Sequence, residues 1–162
     1  MNQDSEKSSL VLAYQDAIDL FVDHLLLEPA NMDIKLIDIN HPLLFNEKII
    51  EQIKVLCLHQ RNFNCRIIAE KLRPNKRLNL FIHYYQRLTD KIKIRRYIPP
   101  QVEPDKRQYI CIGNTLAAWQ NHPTHTDFRV FDTSYRVKQF KDSYMSTFEQ
   151  ALADNSLSKL YL

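Results

Sequence analysis

From Ser9 onward, apolar residues recur at helical spacing. Leu10, Ala13, Ala17, Leu20, Phe21, His24 and Leu25 fall near one face, with Asp16, Asp19 and Asp23 on a solvated acidic face opposite. This predicts an amphipathic helix with Ser8 or Ser9 as its N-cap and Pro29 as its stop. The period then shortens to two. MDIKLIDI alternates as a strand, Ile34 and Leu36 to one side and Lys35 and Ile37 to the other, and Asn40 and Pro42 make the turn that follows. Asn46 opens a second helix, NEKIIEQIKVLCLHQ, with Ile49, Ile50, Ile53, Leu56 and Cys57 as its buried stripe. Glu47 lies in its first turn, where the helix dipole favours an acid.

The stretch from Asn62 to Arg96 repeats the scheme as strand, helix, strand. NCRIIAE is a short β-rich run. Pro74 precedes a helix, KRLNLFIHYYQRLTD, whose apolar positions are Leu78, Phe81, Ile82, Tyr85 and Leu88. KIKIRRY then alternates, Ile92 and Ile94 inward, Lys91, Lys93 and Arg95 outward, before Pro99, Pro100 and Pro104 break the chain into a loop. RQYICIG, TLAAWQN and TDFRVF read as short strands joined by turns at Gly113–Asn114 and His122–Pro123. SYRVKQFKDSYMSTFEQALA reads as a closing helix with Val137, Phe140, Tyr144, Phe148 and Leu152 on its apolar face. Strands separated by crossover helices imply parallel pairing, with helices on the faces of the sheet. The predicted fold is α/β: a mixed, mostly parallel sheet flanked by helices, with an antiparallel hairpin portion and a C-terminal helix.

A chain of 162 residues supports one domain, placed at residues 9–154 between a disordered tail at 1–8 and a C-terminal tail at 155–162. Gly113 is the only glycine, which argues against the GxGxxG turn and the P-loop, since each needs several. No apolar run reaches the ~18 residues of a membrane span, and the polar N-terminus MNQDSEKSS does not read as a secretory signal. Cys57, Cys65 and Cys111 form no CxxC pair and read as buried reduced thiols, which fits a cytoplasmic location.

Charge changes the picture more than composition does. Residues 1–60 carry 4 basic and 10 acidic side chains, residues 61–107 carry 13 and 4, and the remainder balances. A basic middle near Tyr84, Tyr85 and Tyr97 suits a surface for a phosphate backbone, nucleic acid first, against the plainer reading of charges scattered over solvent-facing positions. Arg73, Lys76 and Arg77, beside Lys71 at a strand-to-helix turn, are the best local cluster, because such turns lie at the carboxyl ends of strands where α/β sheets bind ligands. The six histidines form no HExxH or other metal pair, so no metal or cofactor is expected.

YQDAIDLF, NCRIIAE, YYQRLTD, KIKIRRY, YICIGNTLAAW and the final helix together resemble one half of the phospholipase D superfamily, closest to a small bacterial branch. Active members of that superfamily carry His-x-Lys-x-x-x-x-Asp, the His attacking phosphorus and the Lys stabilising the phosphoryl oxygens. At the corresponding place this chain has Lys106 for the His, Gln108 for the Lys and Gly113 for the Asp. The resemblance therefore implies a half-domain without phosphodiesterase chemistry. Anion affinity is expected to persist through Arg95, Arg96, Lys106 and Arg107. Because superfamily members pair two halves, the resemblance also implies an alternative: a module that forms a homodimer or docks on a partner protein. A third reading, an enzyme with its nucleophile relocated to His83 or His125, ranks below both.

Overall fold

The computed structural model describes residues 10–27, 31–101, 106–120, 126–153 and 157. Its centre is the strand β2 (Asn31–Asp38), the helix α2 (Glu47–His59), the strand β3 (Asn64–Lys71), the helix α3 (Asn79–Arg87) and the strand β4 (Ile92–Arg96). The helix α1 (Tyr14–Leu27) precedes this core. The strands β5 (Gln108–Ile112), β6 (Leu116–Gln120) and β7 (Phe128–Phe131) and the helix α4 (Ser134–Gln150) follow it. Two short strands, β1 (Leu10–Leu12) and β8 (Leu152–Ala153), close the edges of one eight-stranded sheet ordered β1-β7-β6-β5-β2-β3-β4-β8. Among the described residues, the ladders β2–β3 and β3–β4 are parallel, as the crossovers require, and the other five are antiparallel.

Alternation along the strands divides the sheet into two faces. Ile34, Leu36, Ile67, Ile94 and Ile110 pack with α1, α2 and α3 around Phe21, Ile53 and Phe81. On the other face, Ile68, Tyr109, Cys111, Trp119 and Phe131 pack under α4 through Val137, Phe140, Tyr144 and Phe148. Asn46 caps α2 by accepting from Lys48 and Ile49, and the whole predicted stripe of that helix is buried. All three cysteines are free and buried; burial pushes Cys57 up to about 11 and Cys111 up to about 12.

Three expectations need correction. Leu10–Leu12 do not begin the first helix: they pair antiparallel with β7, and Leu10 is 59% exposed. The open edge of β7 offers backbone partners that override a helical pattern too weak to bury its own first turn. Ser8 and Ser9, named as the cap, lie outside the described residues. At the other end, α4 stops at Gln150, and Leu152 pairs with Arg96 on the outer edge of β4 for the same reason. Arg95 does not point to open solvent, because α4 covers its side of the sheet. The guanidinium lies 4.0 Å from the Phe148 ring centroid and donates to the Phe148 carbonyl at 2.7 Å. Leu157, within the segment expected as a tail, is buried, and its carbonyl accepts from Gln86 at 3.1 Å.

The α4 face also buries charge. Asp33 is fully buried and takes a two-bond fork from Arg66, Nε to Oδ1 at 2.6 Å and Nη2 to Oδ2 at 3.1 Å. Lys35, 6% exposed, sets its ammonium 5.4 Å from the ring centroids of both Tyr97 and Tyr109. Lone buried charges would be strongly destabilising; the fork compensates Asp33, and the ring faces contribute to compensating Lys35.

Candidate functional site

The carboxyl ends of β2, β3 and β4 make one rim of the sheet, and β5 joins it by its first residue because it runs antiparallel to β2. In the order β5-β2-β3-β4, three spacings of ~4.8 Å put the outer two strands about 14 Å apart. The sequence-predicted cations leave from these ends. Arg73, Lys76 and Arg77 follow β3, Arg95 and Arg96 end β4, and Lys106 and Arg107 lead into β5.

Local hydrogen bonds hold the loop after β3 in place. The side chain of Asn40, in the loop after β2, donates to the Arg73 carbonyl at 2.7 Å and accepts from the Asn75 N–H at 2.7 Å. The Asn75 side chain in turn accepts from the Arg77 N–H at 3.0 Å. Arg73, Lys76 and Arg77 are exposed, as are Arg96 and Lys106, whereas Arg95 and Arg107 are half-buried. Arg77 rests over Phe45 at 5.8 Å. Of the tyrosines expected near this surface, only Tyr97 reaches the rim. Tyr85 is buried in the core under α3, and Tyr84 lies 5.4 Å from the Lys54 ammonium.

Gln108 is not open to a ligand. It is 4% exposed; its Oε1 accepts from the Ile37 N–H at 3.0 Å, and its Nε2 donates to the Gln120 Oε1 at 3.4 Å. His41 completes this cluster. Its Nδ1 accepts from the Leu43 N–H at 3.1 Å, so Nε2 carries the proton and donates to the Gln120 Oε1 at 2.8 Å. Burial holds the imidazole below its ordinary 6.5, and the bond to Gln120 offsets this only in part. With both nitrogens engaged, His41 presents no lone pair to phosphorus. Gly113 sits at the other end of β5, in the hairpin turn, with φ of 53° and its N–H donating to the Asn31 carbonyl at 2.8 Å. His83 is exposed on α3 with its ring 6.2 Å from that of Tyr84, and His122 and His125 lie outside the described residues. No His, Cys, Asp or Glu group among the described residues is arranged to hold a metal, and no helix there is long and apolar enough to cross a membrane.

On the α4 side of the same rim lies a pocket of about 150 Å³ that sequence reading missed. Arg107 and Tyr109 line it from β5, and Arg136, Gln139, Phe140 and Ser143 line it from α4. Both guanidiniums lie 5.7 Å from the Trp119 ring centroid; Arg107 is also 5.5 Å from Phe140, and Arg136 5.0 Å from Phe131. Arg136, Gln139 and Ser143 stand at i, i+3 and i+7. That spacing was the available signal, but it acquires meaning only when Arg107 is brought opposite.

No protein-family model and no curated protein matches the sequence. Solved structures do match the fold. NucT from Helicobacter pylori superposes with a TM-score of 0.64 at 13% identity, over 90% of this chain and 98% of that one. Nuc from Salmonella typhimurium, a phospholipase D family member, superposes with a TM-score of 0.63 at 10% identity, over 92% and 99%. TrmBL2, an archaeal chromatin protein, gives 0.56 at 12% identity, over 91% of this chain and 53% of that one. At such identities the likeness is one of fold: the chain has the mixed α/β fold of a phospholipase D-like half-domain.

Proposed function

We propose that this chain is a non-catalytic phospholipase D-like domain that binds a phosphate-bearing polymer, nucleic acid first, along the rim. The supporting observation is the convergence of Arg73, Lys76, Arg77, Arg96, Lys106 and Arg107 on the ends of neighbouring strands, where a backbone of regularly spaced phosphates finds several cations at once. TrmBL2, whose structure shows a mode of DNA binding, shares this fold. Arg95 stands apart from the set as a tie between β4 and the end of α4. The non-catalytic reading is supported by Gln108, whose amide is enclosed among Ile37, Gln120 and His41 where the pattern of the resemblance has a lysine.

The test is fluorescence anisotropy of labelled single- and double-stranded oligonucleotides across a salt series. With about five phosphate contacts, log K against log salt should fall with a slope of about −3.5 for single strands. The triple variant R73Q/K76Q/R77Q should weaken binding and flatten that slope. Flat titrations at low salt would sink the reading. The second reading, a protein-binding or homodimerising module, is favoured by Leu26, Leu27, Val55 and Leu58, exposed at 62%, 82%, 38% and 57% near the C-terminal ends of α1 and α2. A concentration-dependent dimer in sedimentation, with no oligonucleotide binding, would select it.

A further inference from the structure

Past the end of β4 the chain runs along the C-terminal turn of α4, and between them lies a cleft of about 440 Å³. Arg96, Ile98 and Pro100 line it from the β4 side, and Thr147, Gln150 and Leu152 from α4 and β8. Tyr97 and Ala151 complete the lining, and both pack against the buried cluster under α4. Several ties fix one wall against the other before any ligand arrives. β8 pairs with β4 through Arg95–Ala153 and Arg96–Leu152. Arg95 donates to the Phe148 carbonyl at 2.7 Å, and the Tyr97 N–H donates to the Ala69 carbonyl at 2.8 Å.

Ile98 and Leu152 are large and apolar, yet each is more than half exposed, and both flank this one cleft. Covering such surface favours a ligand with an apolar face. The Gln150 amide can donate and accept. The Thr147 hydroxyl, which donates to the Ser143 carbonyl at 3.1 Å, keeps lone pairs for a donor. The one charged group in the described lining is Arg96, and it also belongs to the rim. A nucleotide has the matching parts: a flat apolar ring, donors and acceptors along the ring edge, and an anionic phosphate one sugar away. An aliphatic chain would match the walls but not Arg96 or Gln150, and an acidic peptide would match Arg96 alone. The cleft is open to solvent, so its volume selects nothing and the lining must do so.

We infer that this cleft is a base subsite of the rim: a phosphate on Arg96 sets the attached base between Ile98 and Leu152, with its edge toward Gln150 and Thr147. The inference rests on the polymer-binding reading above and adds to it a contact that phosphate alone cannot make. Because the Gln150 amide can turn either way, the subsite favours the presence of a base over its identity. The experiment measures anisotropy of end-labelled oligothymidylate against an abasic deoxyribose-phosphate strand of the same length, which has the same charge and no bases. Oligothymidylate should bind at least about fivefold more tightly, the scale of one base packed on a side chain. I98S/L152S removes two exposed apolar groups and should abolish the preference, while affinity for the abasic strand and its salt slope stay in place. Q150A, at an exposed position, should reduce the preference, and R96Q should weaken both strands. Equal, salt-dependent binding of the two strands by the parent overturns the base subsite and leaves the rim reading standing. A preference that survives in I98S/L152S overturns it too. Should that variant lose both strands, Q150A decides, and an unchanged preference there overturns the subsite. If the parent binds neither strand, the rim reading falls and the subsite with it.

Discussion

Changing Gln108 to Lys would place a lysine where the phospholipase D-like resemblance expects one, and the structure says that the fold will resist it. The Gln108 side chain does two things in a site only 4% exposed: it accepts from the Ile37 N–H at 3.0 Å and donates to Gln120 at 3.4 Å. A lysine can donate but cannot accept, so the Ile37 N–H loses its partner, at a cost of ~1–3 kcal/mol. The ammonium must also leave water, and the Gln120 Oε1, already bonded to His41, is its nearest acceptor. The sum is a loss of roughly 2–4 kcal/mol for Q108K. Gln108→Leu loses the same acceptor without burying a charge, so the difference between the two variants isolates desolvation. Equilibrium urea unfolding, followed by far-UV circular dichroism and by the fluorescence of Trp119, the only tryptophan, reads both. The double variant K106H/Q108K should hydrolyse no chromogenic phosphodiester. A Q108K variant within ~0.5 kcal/mol of the parent, or a K106H/Q108K variant that turns over substrate, would refute the claim that this position is closed.

Removing the fork on Asp33 with Arg66→Met leaves a fully buried carboxylate unpaired and should cost ~3–5 kcal/mol, whereas D33N/R66M should recover part of that loss in a double-mutant cycle; an R66M variant losing under ~1 kcal/mol would contradict the pairing account. His41 is held neutral, so the unfolded chain takes up its proton first. Stability should be complete above pH 6.5 and decline as pH falls through that value, by at most ~1.4 kcal/mol per pH unit, and H41N should remove the decline in urea midpoints. With Cys57 pushed up to about 11 by burial, its thiolate at pH 8 is scarce. Ellman's reagent should modify native Cys57 about 100-fold more slowly than the urea-unfolded chain, and a thiol reacting at the free rate would show that the helix face is open.

How far the sequence could be read depended on whether one segment's pattern was enough to decide its partner. The stripe of α2 and the alternation of β2 and β4 are strong because five or so apolar positions agree on one period and the partners lie next in the chain. Leu10 and Leu152 failed for the opposite reason. Each fits the period of the neighbouring helix, Leu10 seven residues before Ala17 and Leu152 four after Phe148. What decides them is an unpaired strand edge, β7 for one and β4 for the other, supplied by a distant part of the chain. Alternation places Arg95 outward, but alternation identifies a face without saying what covers it. The basic rim was visible as a charge block, but its convergence required the strand order to set β5 beside β2 rather than beside β4.

The same strand order explains how the positions compared with the phospholipase D motif and the α4-side pocket can both draw on the four residues from Lys106 to Tyr109. Along β5 successive side chains point to opposite faces, so Lys106 and Gln108 belong to the side of α1–α3 while Arg107 and Tyr109 belong to the side of α4. A change at Gln108 is therefore felt by Ile37, Gln120 and His41, and a change at Arg107 by Trp119, Phe140 and the pocket. The hydrogen bonds of Gln108 and the ring contacts of Arg107 involve different side chains. Their effects should add: in the double variant Q108L/R107Q the loss of stability, and separately the loss of oligonucleotide binding, should each equal the sum of the two single-variant losses to within ~0.5 kcal/mol. Coupling well beyond that would mean the strand shifts as a unit, and the division of the rim into two independent sides would then be wrong.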